Sequence, residues 1–169
     1  LTEWVLQTAC RQNRQWHDMG FSDMRVSVNI SSQLFRSDKL PAMVENALEK
    51  TGLPSCCLEL EITESVMMQN PDHVMRQLQQ IKKMGVFISI DDFGTGYSSF
   101  NYLKLLPIDS VKIDRTFVHD LLVSDENMAI VKAIIAAAHI LELTVVAEGM
   151  ESVEQLALLE RNGCDQGQG

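Results

Sequence analysis

Residues 86–96 read Val-Phe-Ile-Ser-Ile-Asp-Asp-Phe-Gly-Thr-Gly, and the way this stretch is built decides the fold. Its first five residues form a short, mostly apolar run whose alternate position is polar at Ser89, the pattern of a strand on a pleated sheet. The preceding residues 72–84 place Val74, Leu78 and Ile81 at helical spacing, with Asn70-Pro71 as cap and first-turn proline and Gly85 as the stop. A helix, a glycine, a strand and then two carboxylates make up a βα-type unit whose polar groups gather at the strand's C-terminal end.

The same pattern repeats outward from this stretch. Strand-like runs occupy 25–30, 58–62, 110–113 and 144–147. A helix is expected at 38–51, with Leu40, Met43, Val44, Ala47 and Leu48 as its stripe and Gly52 as its stop. Another is expected at 125–142, opening after Ser124 with Asp125 and Glu126 in its first turn and carrying Met128, Val131, Ile135 and Ala138. A third at 152–162 is closed by Gly163. Alternating strands and helices call for parallel strands with right-handed crossovers, in an open doubly wound sheet or a barrel. An open-sheet strand covered on both sides is apolar on both, yet here one face carries Ser27 and Asn29, Glu59 and Glu61, Ser89 and Asp91, Lys112 and Asp114, and Glu148. That favours a barrel whose polar groups line the lumen and crowd its C-terminal rim. A closed eight-stranded barrel takes about 250 residues. Five strands are therefore read as an incomplete TIM-like (β/α) barrel of the α/β class, lacking its first strand region and its C-terminal end.

At 169 residues, 46% hydrophobic and 22% charged, the chain has the size of one domain with one core. Its longest apolar run, 129–141, is broken by Lys132 and His139 and reads as a buried helix rather than a membrane span. The opening Leu-Thr-Glu-Trp carries no secretory signal, so a cytoplasmic domain is expected, with the true N-terminus upstream. The cysteines, Cys10, Cys56, Cys57 and Cys164, have no C-x-x-C spacing and no histidine at ligand spacing, and are read as reduced, mostly buried thiols. A net charge of −9 argues against a nucleic-acid polymer as partner, while a small anion held through metal ions remains compatible.

Asn29, Glu61, Asp91 and Asp92 are hard oxygen donors that a barrel would bring to one rim, where they would repel without a cation. Oxygen-only ligation selects Mg²⁺ or Mn²⁺. Adjacent aspartates can hold two ions if one carboxylate bridges, the clamp used for in-line attack on phosphodiesters. Lys112 could orient water or offset phosphate charge, and Glu148 could complete the second ion's shell or take the water's proton. Plainer readings stand beside these: Asn29, Glu61 and Glu148 as solvated strand ends, 91–96 as a tight turn with Asx capping, and Lys112 as one side of a surface ion pair. The four histidines carry no metalloenzyme motif and receive no role, and Met67-Met68 reads as core filler.

Six segments in series resemble the EAL-domain cyclic-di-GMP phosphodiesterases of bacterial signalling: 28–31 (Val-Asn-Ile-Ser), 61–65 (Glu-Ile-Thr-Glu-Ser), 91–99 (Asp-Asp-Phe-Gly-Thr-Gly-Tyr-Ser-Ser), 111–115 (Val-Lys-Ile-Asp-Arg), 147–151 (Ala-Glu-Gly-Met-Glu) and 168–169 (Gln-Gly). The resemblance covers essentially the whole chain. It implies that Asn29, Glu61 and Asp91 bind a first metal and that Asp91, Asp92 and Glu148 bind a second, both Mg²⁺ or Mn²⁺. It implies contact of Lys112 with the attacking water, Glu148 as general base, and Glu64 as a brace for loop 93–99. Asp114, Glu151 and Gln168 resemble positions lining the guanine pockets. The implied reaction hydrolyses cyclic-di-GMP to linear pGpG, in a homodimer with a fused sensor or diguanylate-cyclase domain upstream. The Glu-Ala-Leu motif that names the family, whose glutamate is a further first-metal ligand, belongs before Leu1. The domain is thus expected to span 1–169, truncated at both ends. The alternative implied function is a receptor that binds cyclic-di-GMP without cleaving it.

Overall fold

A computed structural model describes residues 1–68, 70–96 and 103–169, with the side chains of all of these except Met67 and Met68. The core role expected for those two methionines, and the 97–99 part of the resemblance, therefore lie outside the described residues. The described chain forms two compact units, one of Leu1–Ser89 and Leu106–Ile108, the other of the remaining described residues. Strand order follows chain order, β1 to β6.

In the first unit, β1 (Val26–Ile30) pairs in parallel with β2 (Leu58–Thr63), with Asn29 opposite Glu61 in the register. Val28 and Ile30 are buried while Ser27 and Asn29 are exposed, the period-two alternation that the strand reading rests on. Helix α1 (Thr2–Asp18) packs on α2 (Leu40–Thr51) and on β1, burying Leu6, Cys10 and Asn13 on one face. Buried Asn13 donates from Nδ2 to the carbonyls of Met24 and Cys57, so the one polar residue of that face replaces water with backbone acceptors. Gly52 ends α2 in the left-handed conformation, its N–H returning to the Leu48 carbonyl, as the sequence demands. Helix α3 (Pro71–Lys83) starts at Asn70, whose side chain accepts the His73 N–H, and buries Val74, Leu78 and Ile81.

Strand β3 (Phe87–Phe93) runs three residues beyond the expected end at 90 and is shared by the two units. Its last residue, Phe93, accepts the Asp114 N–H just past β4. Asp91 and Asp92 therefore stand on a strand rather than after one. In the second unit, β4 (Ser110–Ile113) pairs in parallel with β5 (Thr144–Glu148). Short α4 (Arg115–His119), α5 (Asp125–Ile140) and α6 (Val153–Arg161) complete the alternation. A sixth strand, β6 (Gln166–Gln168), pairs with β5 and corrects the expected five. Gln-Gly-Gln has no apolar alternation to announce it. Its strand conformation comes from the register that sets Gln168 opposite Glu148.

Candidate metal centre

Three strands of the second unit contribute the chemistry. All four residues of β4 are buried, Lys112 among them at 5% exposure. Its Nζ lies 2.6 Å from Glu148 Oε1 and 3.5 Å from Asp91 Oδ1. The surface ion-pair reading of Lys112 is thereby overturned: the ammonium leaves water to sit between two carboxylates. Asp91, Asp92 and Glu148 each offer an oxygen within 4.8 Å of the others.

Charge crowding bears on Asp92. Burial, then the Asp91 charge, then a hydrogen bond and charge shared with Asp114 push the Asp92 carboxyl up, with Lys112 pulling only partly the other way. Burial alone would also raise Asp114. The Thr116 hydroxyl and N–H donate to its carboxylate, Asp92 shares a hydrogen bond with it and Arg115 adds a nearby positive charge, so the net direction is down. The two neighbouring carboxyls are thus pushed in opposite directions, Asp92 up and Asp114 down. A divalent cation would relieve the repulsion that raises Asp92. The donor set is all hard oxygen, without thiolate or imidazole, and it fits Mg²⁺ or Mn²⁺.

Local backbone geometry aims these carboxylates. Asp92 has φ 54°, in the left-handed region that a non-glycine residue enters at a cost of roughly 1–3 kcal/mol. The strain is offset by a turn: Thr95 N–H and Oγ1 both donate to the Asp92 carbonyl, and the Asp92 N–H donates to Asp91 Oδ1. Gly94, at φ 100°, lies where a Cβ would stand 2.9 Å from the Phe117 ring and 3.2 Å from Ile134. Turn and site are one arrangement, since the Asx-type bonds of the turn fix the positions of the two aspartates.

In the first unit, Asn29 and Glu61 are register neighbours, Glu61 buried and Asn29 exposed. Glu59 is engaged elsewhere, 3.5 Å from the Arg25 guanidinium, which stacks over the Phe87 ring. Glu64 is buried at the head of the 3-10 turn Glu64–Met68. Of the expected guanine-contacting residues, Glu151 lines a cleft of ≈ 440 Å³ with Arg115, Thr116, His119, Asp120 and Gly149. Asp114 instead caps α4, and Gln168 lies exposed on β6 with its carbonyl accepting the Met150 N–H. The sequence reading gave Arg115 no place beside Glu151 and gave His119 none at all. Their signal was faint: a charged and a titratable residue four apart in a five-residue helix straight after a strand.

Parallel strands alternating with helices, and carboxylates gathered around a buried lysine at strand ends, define a (β/α) domain suited to divalent-metal chemistry. The EAL-domain family model matches residues 1–169, and the chain belongs to that family. It is 47% identical over 169 residues, all of this chain, to the cyclic di-GMP phosphodiesterase NbdA of Pseudomonas aeruginosa, and covers 22% of that protein. Among solved structures it resembles the PaMucR phosphodiesterase in complex with c-di-GMP, at 48% identity and TM-score 0.92, covering 96% of this chain and 66% of that one. It also resembles the EAL domain of Mycobacterium smegmatis DcpA, at 38% identity and TM-score 0.94, covering 99% of this chain and 75% of that one. The fold class is accordingly α/β of the TIM-like type expected from the strand faces. The chain spans 20% to 25% of the length of the curated relatives it matches.

Proposed function

We propose that this domain hydrolyses cyclic-di-GMP to linear pGpG with two divalent ions, Mg²⁺ or Mn²⁺. The observation that supports it most is the convergence of Asp91, Asp92 and Glu148 around buried Lys112, in a chain 47% identical to a protein named a cyclic di-GMP phosphodiesterase. Asp91, Asp92 and Glu148 would hold one ion. Asn29 and Glu61, register neighbours on β1 and β2, would serve the other. Bound ions would polarise the phosphoryl oxygens and make water a stronger nucleophile. Glu148 accepts the proton of the attacking water, and Lys112 fixes the Glu148 carboxylate and offsets charge developing on the phosphate. Water adds across one phosphodiester, breaking a single P–O bond and opening the ring to pGpG. Glu151, Asp114 and Gln168 contact the guanine bases. The domain works in the cytoplasm as part of a longer, dimeric protein with a sensor or cyclase domain upstream. Among the described residues, no helix is long and apolar enough to cross a membrane.

The test uses the full-length protein with cyclic-di-GMP and Mg²⁺ or Mn²⁺, beside Glu61→Ala and Glu148→Gln, with pGpG separated by chromatography. Wild type yields pGpG, and Glu148→Gln loses about 10²–10⁴-fold in rate, the scale of a general base. Tight binding without turnover in the wild type makes the domain a receptor and reduces these residues to ligand contacts.

A further inference from the structure

Gln155, in the first turn of α6, is buried at 5% exposure, and its carboxamide joins two separate segments of the second unit. Its Oε1 accepts the N–H groups of Glu151 and Ser152 at 2.7 and 3.1 Å. Its Nε2 donates to the carbonyls of Val118 and His119, at the end of α4, at 3.1 and 3.2 Å. An amide has two donor hydrogens and two acceptor lone pairs, so every polar position of this one is engaged. The flipped amide would aim N–H at N–H and oxygen at carbonyl oxygen, which fixes the orientation. The capping box that starts α6 accounts for the Ser152 bond alone. The other three bonds clamp the segment after β5 to the end of α4.

Those two segments line the ≈ 440 Å³ cleft, α4 through Arg115 and His119 and the segment after β5 through Gly149 and Glu151. Gly149, at φ 71°, lets them pass closely, since a Cβ there would stand 2.6 Å from the Arg115 Cβ. Arg115 and Glu151 are exposed at the cleft, and among the described residues neither side chain is spent on an ion pair. The cleft therefore presents a guanidinium, which only donates, and a carboxylate, which only accepts. Guanine matches both: its O6 and N7 are acceptors suited to a guanidinium, and its N1–H and N2 amino group are donors suited to a carboxylate. Adenine carries a donor where guanine has O6 and lacks the N2 amino group.

We propose that Gln155 is a positioning residue for base recognition: its carboxamide sets the Glu151 carboxylate relative to the Arg115 guanidinium, and through that spacing it governs how tightly and how selectively guanine is held. This role rests on the reading of the domain as a cyclic-di-GMP site. Gln155 has no polar atom left for the substrate and acts through Glu151. Glu148 is held separately, by the pairing of β5 with β4 and β6, so loosening the clamp leaves the reacting groups in place. The loss then falls on KM rather than kcat.

The experiment measures kcat and KM of the full-length protein for cyclic-di-GMP in Mg²⁺, and its selectivity over the adenine analogue cyclic-di-AMP as competitor. Gln155→Glu keeps an oxygen for the Glu151 and Ser152 N–H groups but sets its other oxygen against the Val118 and His119 carbonyls. KM rises by about tenfold, the scale of one bidentate base contact; kcat is little changed, and selectivity over cyclic-di-AMP falls. Ser152→Ala removes the acceptor of the Gln155 N–H and weakens the same helix start, so it lowers the melting temperature while KM stays as in the wild type. In a Glu151→Gln background the KM penalty of Gln155→Glu disappears. Arg115→Gln, at an exposed side chain, raises KM by a similar factor with the clamp intact, and tests the opposite wall even where Gln155→Glu does not fold. An unchanged KM in Gln155→Glu or Arg115→Gln overturns the proposal, as does an equal rise in Ser152→Ala or a penalty that persists in full without the Glu151 carboxylate. Where the wild type binds without turnover, the same ratios are read in calorimetric Kd. A wild type that neither binds nor cleaves cyclic-di-GMP overturns the reading of the domain, and the proposal with it.

Discussion

Lys112 sits at 5% exposure between Glu148 at 2.6 Å and Asp91 at 3.5 Å, and its removal takes a buried positive charge from among Asp91, Asp92 and Glu148. Breaking a buried pair from one side costs about 3–5 kcal/mol. Lys112→Met is therefore expected to lower the melting temperature strongly in chelator and to regain a large part of it in Mn²⁺, which replaces the lost positive charge; thermal unfolding in both media checks this. Asp165 offers a different residue-scale test. Burial would raise its carboxyl, but the Val145 N–H at 2.8 Å and the hydrogen bond and charge of His139 at 3.0 Å outweigh burial and hold it below the usual 3.8. A depressed carboxylate stabilises the fold above its unfolded value and loses that contribution as pH falls through its folded value. The stability gap between wild type and Asp165→Ala is thus present at pH 6 and narrows below about pH 4. Because Asp165 is 40% exposed, the gap stays at about 1 kcal/mol or less. Urea melts across that range measure it. Of these roles, the carboxylates of the centre were legible in the sequence because oxygen donors at strand ends announce themselves. The choice between a surface and a buried Lys112 was not, since burial depends on what packs over β4.

At the scale of elements, legibility followed the end signals. The helix expected at 72–84 forms as Pro71–Lys83 and that at 125–142 as Asp125–Ile140, each opened by the side-chain cap read from the sequence, Asn70 or Ser124. Helix α1 escaped delimitation because its buried face is only Leu6, Cys10 and Asn13, one of them polar, so periodicity is weak. Strand β6 escaped because its residues are polar and exposed, and pairing with β5 alone makes it a strand. The cap on α3 gives the element-scale prediction. Asn70→Ala removes the acceptor for the His73 N–H and costs about 1 kcal/mol, typical of N-cap loss. For a chain of this size that is a fall of about 2–4 °C in melting temperature. Asn70→Ser keeps a capping oxygen and restores most of it, while an Ala variant as stable as wild type shows that α3 is held by its buried face alone.

For the whole molecule, a net charge of −9 adds a general repulsion to the local crowding at Asp91, Asp92 and Glu148, and the two respond differently to salt. Screening of general repulsion depends on ionic strength and is the same for NaCl and MgCl₂ matched in that quantity. Ligation is specific and acts by mass action: free Mg²⁺ at a hundred times its Kd stabilises by about 2.7 kcal/mol. At about 2–4 °C per kcal/mol, the melting temperature in MgCl₂ should exceed that in matched NaCl by roughly 5–11 °C. Asp91→Asn with Asp92→Asn removes the anionic donors of β3, so the excess should collapse while the common response to screening persists. An excess of equal size in that double variant would place the ion elsewhere. No excess in either protein would mean that the carboxylates hold no Mg²⁺ and that the domain serves association or ligand binding rather than hydrolysis.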